Sequence, residues 1–151
     1  MTALKTPATD PKSSFASMKG NHVAFRVPDF AASKAWFVEK LDFRVIHEWP
    51  FGDLQLAYLA PPNDNACWIE ILGGARPASR PRFSSVDESL HYAGYHHFCF
   101  DVASVDATLA ELRRRNVTIL GEAFDMPEIG RRLGFFADPF GNLFELAETI
   151  A

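Results

Sequence analysis

Apolar and polar residues alternate along several short stretches of this chain, which is the spacing of β-strands, and two longer stretches follow the spacing of a helix. The helical stretches begin after Asp29 and Ser104, two residue types that commonly cap helix N-termini. The sequence Asp-Pro-Phe-Gly-Asn at 138–142 predicts a turn. The stretches with strand spacing are 22–27, 43–49, 54–59, 67–72, 97–102, 117–121, 132–136 and 143–148.

The order of these elements repeats at a constant offset. His22-Val-Ala-Phe-Arg-Val matches His97-Phe-Cys-Phe-Asp-Val, and Trp68-Ile-Glu-Ile matches Leu143-Phe-Glu-Leu, both at an offset of 75 residues. Two independent matches at one offset indicate an internal repeat. We therefore predict an α+β fold of two tandem βαβββ modules, residues 19–72 and 94–148, whose sheets form a cleft. A linker at 73–93 joins them within a single domain over 19–151, and 1–18 is expected to be a flexible N-terminal segment.

The repeat places one polar residue of the same type at matching positions in the two modules. His22 and His97 open the first strand of each module, and Glu70 and Glu145 lie on the last strand. Because side chains alternate along a strand, each is predicted on the face opposite the branched and aromatic residues. Any one of them alone could simply face water. Two imidazoles and two carboxylates at equivalent positions instead suggest one divalent metal, with Zn, Ni, Co, Mn and Fe all compatible.

Other residues are weaker candidates for the site. Trp68 shares the predicted face of Glu70 and could form an apolar wall, although core packing explains it equally well. Arg131 and Arg132 precede the sixth strand and could hold a substrate carboxylate, although such pairs are commonly solvated. His96 is set aside, because it adjoins His97 and is expected to point to the other face.

The composition narrows the class of partner. The 151 residues carry a net charge of −4, which gives no electrostatic reason to expect nucleic acid or an anionic membrane. No apolar stretch reaches the length of a membrane span, and the N-terminus lacks the apolar core of a signal peptide. Only two cysteines are present, Cys67 and Cys99, both in apolar runs and expected to be reduced and buried. A small-molecule partner and a cytoplasmic location follow as expectations.

The motifs resemble the vicinal-oxygen-chelate superfamily, which includes glyoxalase I, extradiol dioxygenases, fosfomycin-resistance enzymes and bleomycin-binding proteins. The resemblance covers roughly 21–148 and is carried by His22-Val-Ala-Phe-Arg-Val-Pro-Asp, by Gly94-Tyr-His-His-Phe-Cys-Phe and by Asp138-Pro-Phe-Gly-Asn-Leu-Phe-Glu-Leu. In its ligand set the chain is most similar to glyoxalase I, whose metal ligands would fall on His22, Glu70, His97 and Glu145. The superfamily also implies a homodimer, with each cleft formed within one chain or between two.

Similarity to glyoxalase I implies further roles. It assigns proton transfer to Glu145, with Glu70 as the second choice, and it assigns Arg26 to a carboxylate of glutathione as a cosubstrate. One position departs from the pattern, because Gly74 stands where that enzyme often has Asn, which puts the glutathione site in doubt.

Three functions stay open at this stage. The first is a metal-dependent lyase or isomerase acting on a small substrate with vicinal oxygens through an enediolate, because four protein ligands leave two positions for such a substrate. The second is an extradiol dioxygenase on a small aromatic diol, in which Glu70 would not bind the metal. The third is a non-catalytic drug-binding protein of the bleomycin-resistance type.

Overall fold

The computed structural model describes residues 6–78 and 81–150. The first five residues of the predicted N-terminal segment and residues 79–80 of the predicted linker therefore lie outside the described residues. The first module contains one helix and four strands: β1 (His22–Arg26), α1 (Phe30–Leu41), β2 (Arg44–Phe51), β3 (Leu54–Ala60) and β4 (Trp68–Gly73). Asp29 caps α1 as predicted, because its side chain accepts a hydrogen bond from the Ala32 amide at 2.9 Å.

The second module follows a short helix in the linker. The helix is α2 (Val86–Ser89), and it is followed by β5 (His97–Asp101), α3 (Val105–Arg114), β6 (Thr118–Ile119), β7 (Phe124–Met126), β8 (Arg131–Ala137) and β9 (Leu143–Thr149). Ser104 caps α3 through its side chain, again as predicted. Among the described residues, no helix is both long and apolar enough to cross a membrane.

Each module forms its own sheet. Sheet 1 has the strand order β1-β4-β3-β2, and sheet 2 has the order β5-β9-β8-β6, with β7 also pairing with β8. The first and last strands of each module pair in parallel, and their registers agree with the repeat: Ala24 lies opposite Glu70, and Cys99 lies opposite Glu145. The predicted α+β class, with two sheets from a repeated unit, is confirmed.

The two sheets share one hydrophobic core. Phe25 and Ile71 of sheet 1 are buried in the same cluster as Phe144 and Leu146 of sheet 2. Helix α1 lies between the sheets, because the Trp36 ring stacks on the rings of Phe136 and Phe144, with centroids 6.5 and 6.3 Å away. We call the opposite, solvent-facing side of each sheet its outer face.

The second module departs from the first in one strand. β6 and β7 together replace β2, because Ile119 and Phe124 pair with β8 where Val45 and Trp49 pair with β3. Between the two short strands, Gly121 has a φ of 136°, a backbone conformation that residues other than glycine rarely adopt. The alternation of apolar residues predicted only β6, so β7 was missed.

Candidate metal centre

The first pair of predicted ligands, His22 and Glu70, meets on the outer face of sheet 1. His22 begins β1 opposite Trp68, and Glu70 lies on β4 two residues beyond Trp68. The Nε2 atom of His22 is 3.2 Å from the Oε2 atom of Glu70. The carboxylate is the more buried partner, with 11% of its side chain exposed against 32% for the imidazole.

The second pair, His97 and Glu145, repeats this geometry on the outer face of sheet 2. The Nε2 atom of His97 is 3.1 Å from the Oε2 atom of Glu145, and the exposed fractions are 31% and 14%. The two pairs, 75 residues apart in sequence, therefore agree closely in their N–O distance, in the use of the histidine Nε2 atom and in the exposed fractions of their side chains. The shared register of the two modules accounts for this agreement.

In both pairs, the second ring nitrogen of the histidine has a polar partner. The Nδ1 atom of His22 is 2.7 Å from the Oδ1 atom of Asn21, and the Nδ1 atom of His97 is 2.7 Å from the Nδ1 atom of His96. Asn21 and His96 are themselves 75 residues apart. Histidines that bind metals commonly have this arrangement, with one nitrogen on the ion and the other hydrogen-bonded to a neighbour.

Each pair fits half of the ligand set of a divalent metal. Two donor atoms about 2.1 Å from one ion, at a right angle to each other, lie about 3 Å apart. The His22–Glu70 and His97–Glu145 separations match that spacing. Imidazole and carboxylate are also donors that borderline cations such as Zn²⁺ accept. By chemistry and spacing, these residues therefore fit the metal that the sequence predicts.

The four side chains do not meet within one chain. The residues that alternate with them, such as Phe25 and Phe144, point into the shared core, so the two pairs lie on opposite sides of that core. In the described part of the chain, no group of three or more histidine, cysteine, aspartate or glutamate side chains is placed to hold a metal. A cleft lined by both outer faces therefore needs a second chain, which is one of the two arrangements that the sequence leaves open.

Aromatic rings flank both pairs. Tyr58 pairs with Glu70 across β3 and β4, and its ring centroid is 5.2 Å from that of His22. Phe135 pairs with Glu145 across β8 and β9, and its ring centroid is 5.5 Å from that of His97. On sheet 1, the aromatic row continues through Trp49, Trp68 and His47, with neighbouring centroids 4.7 to 5.4 Å apart.

Trp68 lies on the outer face, as predicted, against Tyr58. Its indole Nε1 atom is shielded from solvent. Within the described residues, this nitrogen has no hydrogen-bond partner. Buried indole N–H groups normally find an acceptor.

Arg131 and Arg132 point to different faces of β8. Arg131 shares the outer face with Phe135, and its guanidinium donates to Thr149 at 2.6 Å and to Asp101 at 3.2 Å. Arg132 points to the helix side, where it donates to both carboxylate oxygens of Asp106, at 2.8 and 2.9 Å. Strand alternation thus turns Arg132 away from Glu145 and toward α3, and its role in substrate binding stays a prediction that this placement does not support.

Arg26 is engaged by its own chain. Its guanidinium donates to the carbonyl of Leu72 at 2.7 Å and also to that of Gly74, just beyond the end of β4. The backbone at Gly74 has a φ of 84°, and a Cβ there would lie 2.4 Å from the Asp53 carbonyl. Asn, the residue common at this position in glyoxalase I, would therefore be strained here. The role of Arg26 toward glutathione stays a prediction.

Cys99 adds a thiol to the second pair. It is exposed on the outer face and lies opposite Glu145, whereas the sequence predicted a buried cysteine. The pKa of the Cys99 thiol is raised to about 12. The larger cause is desolvation by the surrounding protein, and the smaller one is the hydrogen bond to Glu145. The thiol therefore stays protonated and can donate to the carboxylate. The matching position in the first module is Ala24, so Glu70 has no such donor.

Comparison with known proteins agrees with this architecture. Residues 19–146 match the model of the Glyoxalase/Bleomycin resistance protein/Dioxygenase superfamily. An uncharacterized protein of Bacillus subtilis, YwkD, is 30% identical over 129 residues, which cover 85% of this chain and 94% of that protein. The crystal structure of SMU.1112c is similar with a TM-score of 0.71 and 26% identity, covering 87% of this chain and 98% of that one.

Two further structures share the fold at lower identity. The trypanothione-dependent glyoxalase I of Leishmania major has a TM-score of 0.62 at 23% identity, with 85% of this chain and 84% of that chain covered. TnmS3, an antibiotic binding protein from Streptomyces sp. CB03234, has a TM-score of 0.63 at 19% identity, with 87% and 96% covered. The fold thus serves both enzymes and binding proteins, and the chain belongs to the glyoxalase/bleomycin resistance protein/dioxygenase superfamily, also called the vicinal-oxygen-chelate superfamily.

Proposed function

We propose that this protein is a divalent-metal-dependent lyase or isomerase of the glyoxalase type. Each metal site forms between two copies of the chain, with His22 and Glu70 from one copy and His97 and Glu145 from the other. The observation that carries the proposal is the equality of the two His–Glu pairs, at 3.2 and 3.1 Å, on outer faces that one chain cannot bring together.

A two-fold symmetric dimer supplies each His–Glu pair with the other half of its ligand set. If the outer face of sheet 1 in one copy meets the outer face of sheet 2 in the other, symmetry creates a second identical cleft. Each cleft then contains two imidazoles and two carboxylates. Two mostly buried carboxylates without a cation would be costly in such a cleft, and a divalent metal removes that cost.

The residues of the chain have separate tasks in this site. When bound, the metal supplies Lewis acidity to a substrate carbonyl and so acidifies the adjacent C–H bond. We assign proton transfer to Glu145, as the resemblance to glyoxalase I implies, and Cys99 donates a hydrogen bond to its carboxylate on the same face. Glu70 has only Ala24 in the matching position and is the more buried carboxylate, so it serves as a fixed ligand.

The surroundings favour a particular substrate. Trp49, Tyr58 and Trp68 form an aromatic wall beside the first pair, and Phe124 and Phe135 stack beside the second. Such a cleft suits a small molecule with neighbouring oxygens and an apolar or flat substituent. Glutathione as cosubstrate is kept as one candidate source of that substituent.

A second candidate function is ligand binding without catalysis. The aromatic row from His47 to Trp68 favours it, because stacked rings hold flat molecules well. A dioxygenase is the third reading, and the equal geometry of the two pairs counts against it. In that class Glu70 would not bind metal, yet it lies as close to its histidine as Glu145 does.

Metal analysis of untagged protein purified without chelator tests the proposal. We expect about one Zn, Ni, Co or Mn per chain, and turnover of the hemithioacetal of methylglyoxal and glutathione or of a related 2-oxoaldehyde adduct. Glu145→Gln should lower kcat by at least about 100-fold with the fold intact, since it removes the base. A chain that takes up none of these metals on titration would contradict the proposal, and stoichiometric iron with catechol cleavage would favour the dioxygenase.

A further inference from the structure

We propose that His96, held by Ser89, is a positioning residue that fixes the tautomer of His97 so that the Nε2 lone pair faces Glu145. The proposal rests on the metal site proposed above and adds two residues that the ligand set does not contain. It is carried by a series of hydrogen bonds that runs from α2 to Glu145. The first acceptor in this series determines which atom donates in each of the following hydrogen bonds.

The chain of bonds begins at a buried serine. Ser89 is 1% exposed, and its hydroxyl donates to the carbonyl of Val86 at 2.5 Å. A carbonyl can only accept, and two oxygens at this distance need a proton between them, so the single hydroxyl proton is used there. The Ser89 oxygen is therefore an acceptor toward its other partner, the Nε2 atom of His96, at 2.8 Å.

The direction then passes through both imidazoles. Because Nε2 of His96 must donate, the neutral ring has its lone pair on Nδ1. That atom lies 2.7 Å from Nδ1 of His97, so His97 must donate from Nδ1. In the neutral ring of His97, the remaining nitrogen Nε2 carries the lone pair, and this atom faces the Glu145 carboxylate at 3.1 Å. A lone pair and a carboxylate at this distance form a place for a cation.

The first module reaches the same result with a different residue. The Oδ1 atom of Asn21 is 2.7 Å from Nδ1 of His22 and accepts from it, which leaves Nε2 of His22 toward Glu70. Asn21 and His96 are repeat-equivalent, so an amide oxygen and an imidazole nitrogen do the same work in the two modules. This equivalence argues that the position, and not only the residue type, serves the ligand histidine.

The linker supplies the support for His96. Phe83 and Val86 pack against the hydrophobic cluster on the outer face of sheet 2, which brings α2 over that face. Helix α2 is capped by Ser85, whose side chain accepts from the Glu88 amide at 3.2 Å, while the Glu88 carboxylate accepts from the Ser84 amide at 2.8 Å. Ser89 is thereby held where His96 meets it, so the linker takes part in aligning a ligand of the site.

A pair of substitutions at one position tests the proposal with Zn²⁺ alone. His96→Leu removes the acceptor for His97 and should weaken zinc affinity about 10- to 100-fold, the usual effect of losing such a partner. His96→Asn copies the first module and should restore most of that affinity. Ser89→Ala should give a smaller loss, and His91→Asn, at an exposed histidine, should give none. Equal losses in His96→Leu and His96→Asn would overturn the proposal.

Nuclear magnetic resonance gives a readout that does not depend on zinc. Long-range ¹H–¹⁵N correlations of the metal-free full-length protein should place the proton of His96 on Nε2 and a proton of His97 on Nδ1. A His96 proton on Nδ1 would mean that the chain of bonds runs the other way and would overturn the proposal. If wild-type protein binds no zinc, the proposed metal site fails, and the His96 tautomer still decides the positioning role.

Discussion

Arg131 and Arg132 are adjacent in sequence but have different surroundings. The guanidinium of Arg131 lies on the outer face of sheet 2 with Asp101 and Thr149. Arg131 precedes Phe135, the neighbour of Glu145, by four residues on the same face of β8. The guanidinium of Arg132 is held on the helix side by Asp106 and Asp125. Strand alternation thus separates a residue that a substrate in the cleft could reach from one that ties β8 to α3 and β7.

Alanine substitutions at these two positions should affect different measurements. Arg132→Ala removes the solvent-exposed ion pairs to Asp106 and Asp125, so the urea concentration at the unfolding midpoint should fall slightly with zinc affinity unchanged. Arg131→Ala should leave stability nearly unchanged and raise KM more than it lowers kcat. Urea unfolding and steady-state kinetics measure the two effects. An increase in KM for Arg132→Ala alone would show that the faces are assigned wrongly.

At this scale, the sequence predicted ligands better than their supports. The repeat and strand alternation predicted that His22, Glu70, His97 and Glu145 lie on the face opposite the apolar residues, and the structure brings these four residues together as two separate pairs. His96 was set aside because alternation was extended to a residue that precedes β5, where it does not apply. Its repeat partner is Asn21, and because the two residue types differ, the repeat does not mark this position by identity.

At the scale of elements, one glycine allows helix α3 to approach sheet 2. A Cβ built on Gly134 would lie 2.9 Å from methyl carbons of both Val105 and Leu109, two fully buried residues of α3. The helix therefore packs directly against the backbone of β8. Because β8 also carries Phe135, the ring beside His97, this contact helps to set the position of the second pair.

Gly134→Ala should therefore destabilise the protein by about 1–3 kcal/mol, since the added methyl group overpacks a close helix–sheet contact. Gly20→Ala is the matched control, because a Cβ at Gly20 would meet no atom within 4 Å, and it should change stability by less than about 0.5 kcal/mol. Thermal unfolding monitored by circular dichroism compares the two. Equal stability of both variants would mean that α3 does not pack as closely as described.

The elements themselves were largely predictable from the sequence. The caps at Asp29 and Ser104 and the turn at 138–142 are local signals, and the structure contains both helices and the strands that flank them. Helix α2 and strand β7 were missed because both are too short for periodicity to register, with four and three residues. Tertiary contacts support them: α2 through Val86 on the cluster of sheet 2, and β7 through pairing with β8.

At the scale of the molecule, the packing of the modules determines where the pairs lie. Trp36 of the first module stacks on Phe136 and Phe144 of the second, which puts both helices inside and both outer faces outside. The sequence could not distinguish this arrangement from a cleft within one chain. Both arrangements bury the same aromatic residues, and they differ only in which sheet or helix these residues pack against.

Mixing two inactive variants tests the central claim, a metal site shared between two chains, most directly. Glu70→Ala and Glu145→Ala should each lose zinc binding as homodimers. In a mixed dimer, the copy with Glu145→Ala supplies an intact first pair and the copy with Glu70→Ala supplies an intact second pair, so one cleft is complete. Co-expression should therefore restore zinc to about a quarter of the wild-type sites, since about half of the dimers are mixed and each has one good cleft of two. Zinc content that stays at the level of the separate variants would contradict a shared site.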